Sequence, residues 1–487
     1  MIYDVIVVGA GSNGSTAAYF LAKKGFKTLL IEAGGTPGDK CHGATEYCPR
    51  VIFHSMPELV DLQLKVIKQI PHLKPGDLGS GNFFYYVNKD NKVVFKSHTV
   101  APGKTGQEES YSLHNCDFVR VLAQETVNAG AQLISGTAVV NIIREGDVIK
   151  GVVTEDGQRY KARLTIGADG RVSTIAKKAG LLKKWDPNIC SYHYGEAWKF
   201  RSEEEMFEYV EHVRHMFFGP TLTPPKPWGA CTISLRPGGI ITVNAPTAWT
   251  PLSSMASAKK NSRRVYIQNL YGIMEVKRML RPCEGFPDKP YQRQSCFMPG
   301  PPLTKPYMAG LVICGDAGGV GSICLPGYKT AQYVAPLLET DDLSDEALSG
   351  YTLARGRMSR IIYYNEDKQK SRNNKLTKEL SELSETRIVL WSTGAGYMAK
   401  YDCSIDEMVE NMRLAAVPHV MGVPDPEKCG EFGYVDMGTW LIAVKINHLL
   451  KLYGPILQNP KMFPTILKWF QKNEQSFNEK KMFDHPF

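Results

Sequence analysis

Tyr3-Asp4-Val5-Ile6-Val7-Val8-Gly9-Ala10-Gly11-Ser12-Asn13-Gly14 is the stretch from which the fold is read. Residues 3–8 are an apolar run of strand length, the pattern of a short strand buried on both faces. Gly9–Gly14 supplies a turn, and residues 15–24 carry Ala17, Ala18 and Leu21 at helical spacing before Gly25 stops the helix. Lys27–Glu32 (KTLLIE) reads as a second buried strand, which completes a βαβ unit. The motif GxGxxG therefore stands where a strand hands over to a helix. Glycines there permit a tight turn and let the backbone approach a pyrophosphate at the helix N-terminus. Glu32, 18 residues after Gly14, ends the second strand, where a carboxylate can accept ribose hydroxyls. A bare GxGxxG is often just a glycine turn. With the strand, the helix and the acid in place, it predicts a dinucleotide site.

Outward from this unit, residues 56–71 have the spacing of an amphipathic helix, with Leu59, Leu62, Leu64, Ile67 and Ile70 as its apolar series. Phe83–Val87 and Lys92–Lys96 are short strand-like runs, and residues 117–129 form a helix closed by Gly130. Strands are expected through Gln132–Ile143, Val148–Thr154 and Ala162–Gly167. Residues 190–300 are rich in strand, proline and aromatic character, and 311–340 return to strand, glycine turn and helix. From about 345 the pattern is mostly helical, ending in a basic, aromatic segment at 439–473.

Two later segments decide between a nicotinamide and a flavin dinucleotide. Ala162–Thr174 (ARLTIGADGRVST) gives a strand, then Asp169-Gly170, then a helix start at Ser173-Thr174. Leu311–Gly319 (LVICGDAGG) gives a buried strand ending in Gly315-Asp316. An aspartate at such a strand end suits the ribityl chain of FAD, and the helix behind it directs positive potential at the flavin's pyrimidine edge. Either aspartate taken singly could equally cap a helix.

The remaining composition narrows the partners. A net charge of +9 from 58 basic and 49 acidic residues is mild for 487 residues, and suits an anionic membrane surface or an acidic redox partner rather than nucleic acid. Eleven cysteines without a CxxC pair point to a reducing cytoplasm, and to neither a zinc ribbon nor an iron–sulfur cluster. The first strand begins at once, so no targeting segment is expected, and no run reaches the roughly 18 apolar residues of a spanning helix. The expected place is cytoplasmic, with any membrane contact peripheral, on the inner face of the cell membrane. No metal ligands are expected.

The motifs GAGSNG at 9–14, GDKCHGA at 38–44, GADGRVST at 167–174, GDAGG at 315–319 and PGY at 326–328 resemble those of the geranylgeranyl reductase family of FAD enzymes. That family is related to aromatic hydroxylases and to electron-transfer-flavoprotein:quinone oxidoreductases. The resemblance covers about 1–340. It implies an α/β fold: a Rossmann-type, aromatic-hydroxylase-like FAD-binding domain with an inserted mixed β-sheet substrate domain and a helical C-terminal region. The expected boundaries are 1–185 with 300–345 for the FAD domain, part of the substrate sheet being inserted at about 46–112; 186–299 for the substrate domain; and 346–487 for the helical region. It also implies that Gly9, Ala10, Gly11, Ser12, Asn13, Gly14, Glu32 and Ala33 hold the ADP half of FAD. Cys41, His42, Gly43 and Ala44 lie along the flavin, Val139 lies near the adenine, and Asp316 with Gly315, Gly327 and Tyr328 takes the ribityl and isoalloxazine end. Asp169, Gly170 and Arg120 complete the set, Arg120 serving for the family's arginine, whose place is taken by His114 or Asn115. The family's GDKPCG pattern is altered, its cysteine coming one place early with His42 behind it. Its Y-x-W-x-F-P signature is replaced by Pro227–Leu235 (PWGACTISL).

The leading expectation is reduction of a C=C bond in a prenyl lipid by hydride from reduced flavin. Cys41 and His42 are the candidate proton donors, since thiol and imidazole can titrate near neutrality. Cys41 as a small apolar filler is the plain competing reading. Ferredoxin, NAD(P)H or an electron-transfer flavoprotein would donate electrons. Two further readings stay open. One is an electron-transfer-flavoprotein:quinone type of subunit, suggested by Leu325–Thr330 (LPGYKT); the other is a flavin monooxygenase, suggested by Asp169-Gly170. Trp440–Trp469 reads either as an interfacial anchor or as a helical lid, broken by prolines at 455, 460 and 464.

Overall fold

A computed structural model describes residues 2–41, 43–47, 49, 56–73, 82–87, 90–99, 111–185, 191–212, 214–218, 222, 230–247, 262–299, 303, 305–320 and 323–351. The expected C-terminal helical region beyond 351, with the segment Trp440–Trp469, lies outside them, as does His42.

β1 (Ile2–Val8), α1 (Ser12–Lys23) and β2 (Thr28–Ile31) form the expected βαβ unit, β1 and β2 pairing in parallel with Val8 opposite Ile31. Residues along β1 alternate between two cores. Val5 and Val7 join the core built on α1, while Ile6 and Val8 join the one on the opposite face with Leu29, Ile149, Ile175 and Leu311. A strand buried on both sides must be apolar at consecutive positions, which is why this run lacks period-2 alternation. The full sheet has eight strands. Its main path runs β16 (Tyr307–Met308), β17 (Leu311–Ile313), β10 (Arg159–Gly167), β1, β2 and β7 (Gln132–Ile134), with β9 (Val148–Thr154) and β8 (Val139–Glu145) added antiparallel at the start of β10. β17, β10, β1, β2 and β7 are mutually parallel along the path. The single strand expected over Gln132–Ile143 is two, because Gly136 takes φ +72 and turns the chain.

Three helices cover the α1 face: α2 (Pro57–Ile67), α3 (Asn115–Asn128) and α8 (Leu325–Thr340). Leu59, Leu62, Phe118, Leu122, Val334 and Leu338 fill the space between them. Each such side chain contributes about 1.5–3 kcal/mol when fully buried. α4 (Thr174–Lys178) lies on the opposite face, where Ile175 and Ala176 are buried. β3 (Ala44–Tyr47) and β6 (Tyr111–His114) form a short antiparallel ladder beside the N-terminus of α3.

The second sheet has seven strands, in the order β15 (Gln292–Met298), β11 (Ser191–Lys199), β14 (Ile240–Thr247), β13 (Ala230–Arg236), β12 (Arg214–Phe218), β4 (Asn82–Val87) and β5 (Val93–Thr99). Strands from 82–99 thus share a sheet with strands from 191–298. The join is the parallel pair β12–β4, Arg214 opposite Asn82. One face is covered by α5 (Glu203–Tyr209), α6 (Ser262–Tyr271) and α7 (Met274–Leu280), around Trp198, Phe217, Ile233, Ile267 and Leu280. These helices were not anticipated in a region read as strand, although Ser202 caps α5 by accepting from Glu205 N as an ordinary helix start does. Within that core the Glu196 carboxylate accepts from the Tyr194 hydroxyl at 3.0 Å and the Tyr271 hydroxyl at 2.8 Å. Trp198 Nε1 donates to the same Tyr271 oxygen at 2.6 Å. Tyr194 is thereby committed to this core.

Among the described residues no helix is long and apolar enough to cross a membrane. Tyr271→Phe would leave a buried carboxylate oxygen and a buried indole N–H each short of a partner. It is expected to cost about 2–4 kcal/mol of unfolding free energy, measured by chemical denaturation, with the fold retained.

Candidate cofactor site

The ends of four parallel strands meet at one edge of the first sheet. Gly9 follows β1, Glu32 follows β2, Ala168-Asp169 follows β10, and Cys314-Gly315 follows β17. Ligands of open parallel sheets sit beyond such carboxyl ends. The three glycines of the first turn have different jobs. A Cβ on Gly9, where φ is +99, would lie 2.5 Å from Ala168 O, and one on Gly14 would lie 1.9 Å from Gly9 O. Both positions are closed by the protein's own backbone. Gly11 has φ −69, and among the described residues no atom comes within 4 Å of where its Cβ would be. Nothing in the described residues requires glycine there, so the space fits a group laid on the turn. Gly11 also caps α1 without a side-chain hydrogen bond, and no acid lies in the first turn. The first-turn amides and the helix dipole there favour a phosphate.

Glu32 is oriented by that turn, accepting from Ala10 N at 2.8 Å and Gly34 N at 2.7 Å. The loop after β7 packs onto it, with Gly136 N on Gly34 O at 2.7 Å and Thr137 N on Glu32 O at 3.0 Å. Val139, buried at the start of β8, follows directly. Ala33 is exposed beside Glu32, and Ser12 and Asn13 are half-buried in the first turn of α1.

At the other end the 3-10 turn Gly315–Gly318 carries Asp316, and α8 begins nearby. Asn13 joins the two. Gly327 N donates to Asn13 Oδ1 at 3.2 Å, and a Cβ on Gly327 would lie 2.1 Å from Asn13 O. The N-termini of α1 and α8 therefore touch backbone to backbone. Tyr328 turns inward instead. Its ring meets Phe20 edge-on at 4.8 Å, its hydroxyl donates to Glu58 Oε2 at 3.3 Å, and burial with that acid pushes its phenol up to about 12.

Asp169 is spent as a helix cap, the plainer of the two readings its sequence allowed. It accepts from Ser173 Oγ at 2.6 Å and Ile175 N at 3.0 Å, while Gly170 turns the chain at φ +76. Asp316 is held by Arg171, Nη2 to Oδ2 at 3.0 Å. Arg120 lies outward on α3, its side chain 49% exposed, paired with Asp117 at 3.1 Å and Asp39 at 3.8 Å.

Cys41 closes a turn on Gly38 O at 2.8 Å. Burial pushes its thiol up to about 11, Glu32, Cys116 and Asp316 adding to the rise and Arg171 opposing it. Those neighbours come from each of the separated segments, so the site is assembled in space around this residue. The near-neutral titration expected of Cys41 is not found, because the thiolate would be desolvated among carboxylates. Gly43 is buried and accepts from Asn115 N at 2.9 Å, and Ala44 opens β3 opposite His114.

The α3 N-terminus adds residues that no motif flagged. Tyr47, wholly buried, donates to Asn115 Oδ1 at 2.9 Å. His114, Cys116 and Asp117 bring one potential metal-ligand atom each within 4.8 Å of one another. The same Asp117 already holds Arg120, and Cys116 and Asp117 both act on the nearby Arg236, surroundings that disfavour a cation. Arg171 stood in the quoted GADGRVST and could have been noticed as its one cation.

The family model described as DAO, FAD dependent oxidoreductase, matches residues 4–67, the stretch that builds the glycine turn and Glu32. The chain is an FAD-dependent oxidoreductase. This flavoprotein resembles the geranylgeranyl reductases. It is 26% identical over 363 residues to the digeranylgeranylglycerophospholipid reductase of Methanocaldococcus jannaschii, covering 72% of this chain and 81% of that one. It is 32% identical over 186 residues to protein FixC of Escherichia coli, a match spanning 38% of this chain and 41% of FixC. A solved structure of a geranylgeranyl bacteriochlorophyll reductase-like protein from Thermoplasma acidophilum shares the fold, with TM-score 0.60 at 18% identity over 86% of this chain and 96% of that one.

Gly11→Ala should leave the unfolding free energy within about 0.5 kcal/mol while weakening FAD binding at least tenfold, read by flavin fluorescence titration. Gly14→Ala and Gly327→Ala should instead lose about 1–3 kcal/mol or more in the FAD-free protein. Equal stability losses at all three positions would refute the distinction.

Proposed function

We propose that this flavoprotein reduces carbon–carbon double bonds in the prenyl chains of a lipid. The observation carrying this reading is the extent of the match to the digeranylgeranylglycerophospholipid reductase. At 81% of that protein's length it runs well beyond the dinucleotide unit, whereas the matches to FixC stop near two fifths. The residues fit FAD in an extended pose. The α1 N-terminus over Gly11 would take the pyrophosphate, Glu32 and the Val139 loop the adenosine, and Asp316 with the α8 N-terminus the ribityl and pyrimidine end. Bound FAD, once reduced, supplies the hydride. The chain's own part is to hold the alkene close, exclude water, and keep a proton available. The Cys41 Sγ–H serves the last purpose as a thiol that stays protonated throughout the neutral range. His42 is its proposed companion. FAD-domain and substrate-domain boundaries at 1–185 with 300–345 and at 186–299 belong to the same reading, as does peripheral contact with an anionic membrane.

Electron relay to a quinone is the second reading, for which Leu325–Thr330 (LPGYKT) speaks. Likeness to solved flavin enzymes at such low identity speaks only for the fold, so hydroxylation gains nothing from it. Dithionite-reduced, FAD-loaded protein given a geranylgeranylated glycerophospholipid should add two hydrogen atoms per double bond, seen by mass spectrometry. Unchanged lipid together with steady quinone reduction would overturn the first reading in favour of the second.

Thiol chemistry gives a separate check. In the FAD-free protein, alkylation of Cys41 should accelerate with each pH unit above neutrality and level off only near the raised value of about 11. Peptide mapping of the alkylated residue reads this directly, and a plateau by pH 9 would contradict it.

A further inference from the structure

We infer that Arg171 is a positioning residue of the flavin site: its guanidinium orients the Asp316 carboxylate and sets the net charge against which the flavin is reduced. The inference rests on the FAD pose proposed above and adds a residue that the motif reading did not assign.

The backbone around Arg171 is held from several directions. Gly170 turns the chain at φ +76, and Ser173 N donates to Gly170 O at 3.0 Å. Asp169, on the other side of that glycine, is fixed against the first turn of α4 by Ser173 Oγ and Ile175 N. Trp185 Nε1 donates to the Arg171 carbonyl at 2.5 Å. From this pinned loop the side chain crosses to Asp316, 145 residues later, and meets it at 3.0 Å. The two side chains are 33% and 23% exposed, so the pair is partly withdrawn from water and less screened than a surface ion pair. The contact joins the loop after β10 to the turn after β17, the two segments that mark the flavin end.

The surrounding charge gives the pair its consequence. Cys41 lies close enough to feel Glu32 and Asp316 as negative and Arg171 as positive, with Arg171 outweighing Asp316. A carboxylate beside the flavin, as Asp316 is in this pose, opposes reduction, since a two-electron gain with a single proton leaves an added negative charge. A guanidinium keeps its proton at any working pH, so Arg171 offsets that repulsion at all of them. Without it, Asp316 would be both unrestrained and uncompensated.

Arg171 and Asp316 should therefore move the potential of bound FAD in opposite directions. Each variant is loaded with FAD, its binding stoichiometry is measured, and the flavin is equilibrated with a reference redox dye. Arg171→Gln is expected to shift the oxidised-to-reduced ratio about tenfold toward oxidised, about 30 mV for a two-electron couple. Asp316→Asn is expected to shift it toward reduced, and Arg171→Lys, which keeps the charge, to recover most of the loss. A merely structural ion pair gives neither opposite signs nor rescue by lysine. Shifts of the same sign, or shifts below threefold in variants that hold FAD, would overturn the inference. Where only one variant folds, the sign of its shift decides. Failure of the unaltered protein to take up FAD would instead refute the underlying pose.

Discussion

Backbone contact between the first turns of α1 and α8 is the constraint around which the site is arranged. Gly327 can lie against Asn13 O only because it has no Cβ, which would fall 2.1 Å from that oxygen. The contact places two helix N-termini side by side, although they are more than 300 residues apart in the chain. Parallel pairing does the rest. In the order β17, β10, β1, β2 every strand runs the same way, so the residues following each one emerge at a common edge. A turn for phosphate, an acid for ribose, a helix cap and a second acid arrive together as a result of strand direction alone.

The second sheet meets a different demand. It buries the Glu196 carboxylate, whose oxygens are bound by two tyrosine hydroxyls, with Arg293 Nε at 3.5 Å from one of them. Breaking such a satisfied network exposes a charge to a poor solvent, so it holds β11 and α6 in one arrangement. The ladder β3–β6 connects the two sheets: Ser112 on β6 donates to Leu235 O on β13. Gly43 binds Asn115 at the next step of that ladder, so the Cys41 loop is braced by the same connection.

How much of this was legible depended on how local the cause was. The βαβ unit and the glycine turn could be read because their signals lie within a few residues of one another, whereas the mixed second sheet was implied by the family resemblance. The break at Gly136 was overlooked although Ser135-Gly136-Thr137 interrupts the apolar run there, and a left-handed backbone angle at the glycine ends the strand. Three helices in 203–280 were missed under a general impression of strand, even with Ser202 and Glu205 in capping positions. Asp169 and Asp316 look alike in sequence, both following a buried strand. Their difference lies in whether a helix amide or a distant arginine reaches them, and the second of these is non-local. The behaviour of Cys41 was equally hidden, because burial among charges drawn from separate segments has no mark in the motif around it.

These features together explain why one cofactor site needs two kinds of electrostatics. Over Gly11 the described residues offer amides and a helix dipole with no side chain in the way, suited to phosphates that carry permanent negative charge. Toward the flavin the protein offers Asp316, whose oxygens suit hydroxyl groups but repel electrons arriving at the ring. The helix terminus over the phosphates cannot neutralise this carboxylate, because its influence fades within a turn. A fixed cation beside the second acid resolves the conflict, and the pinned loop between Asp169 and Trp185 is the part of the fold that keeps it there.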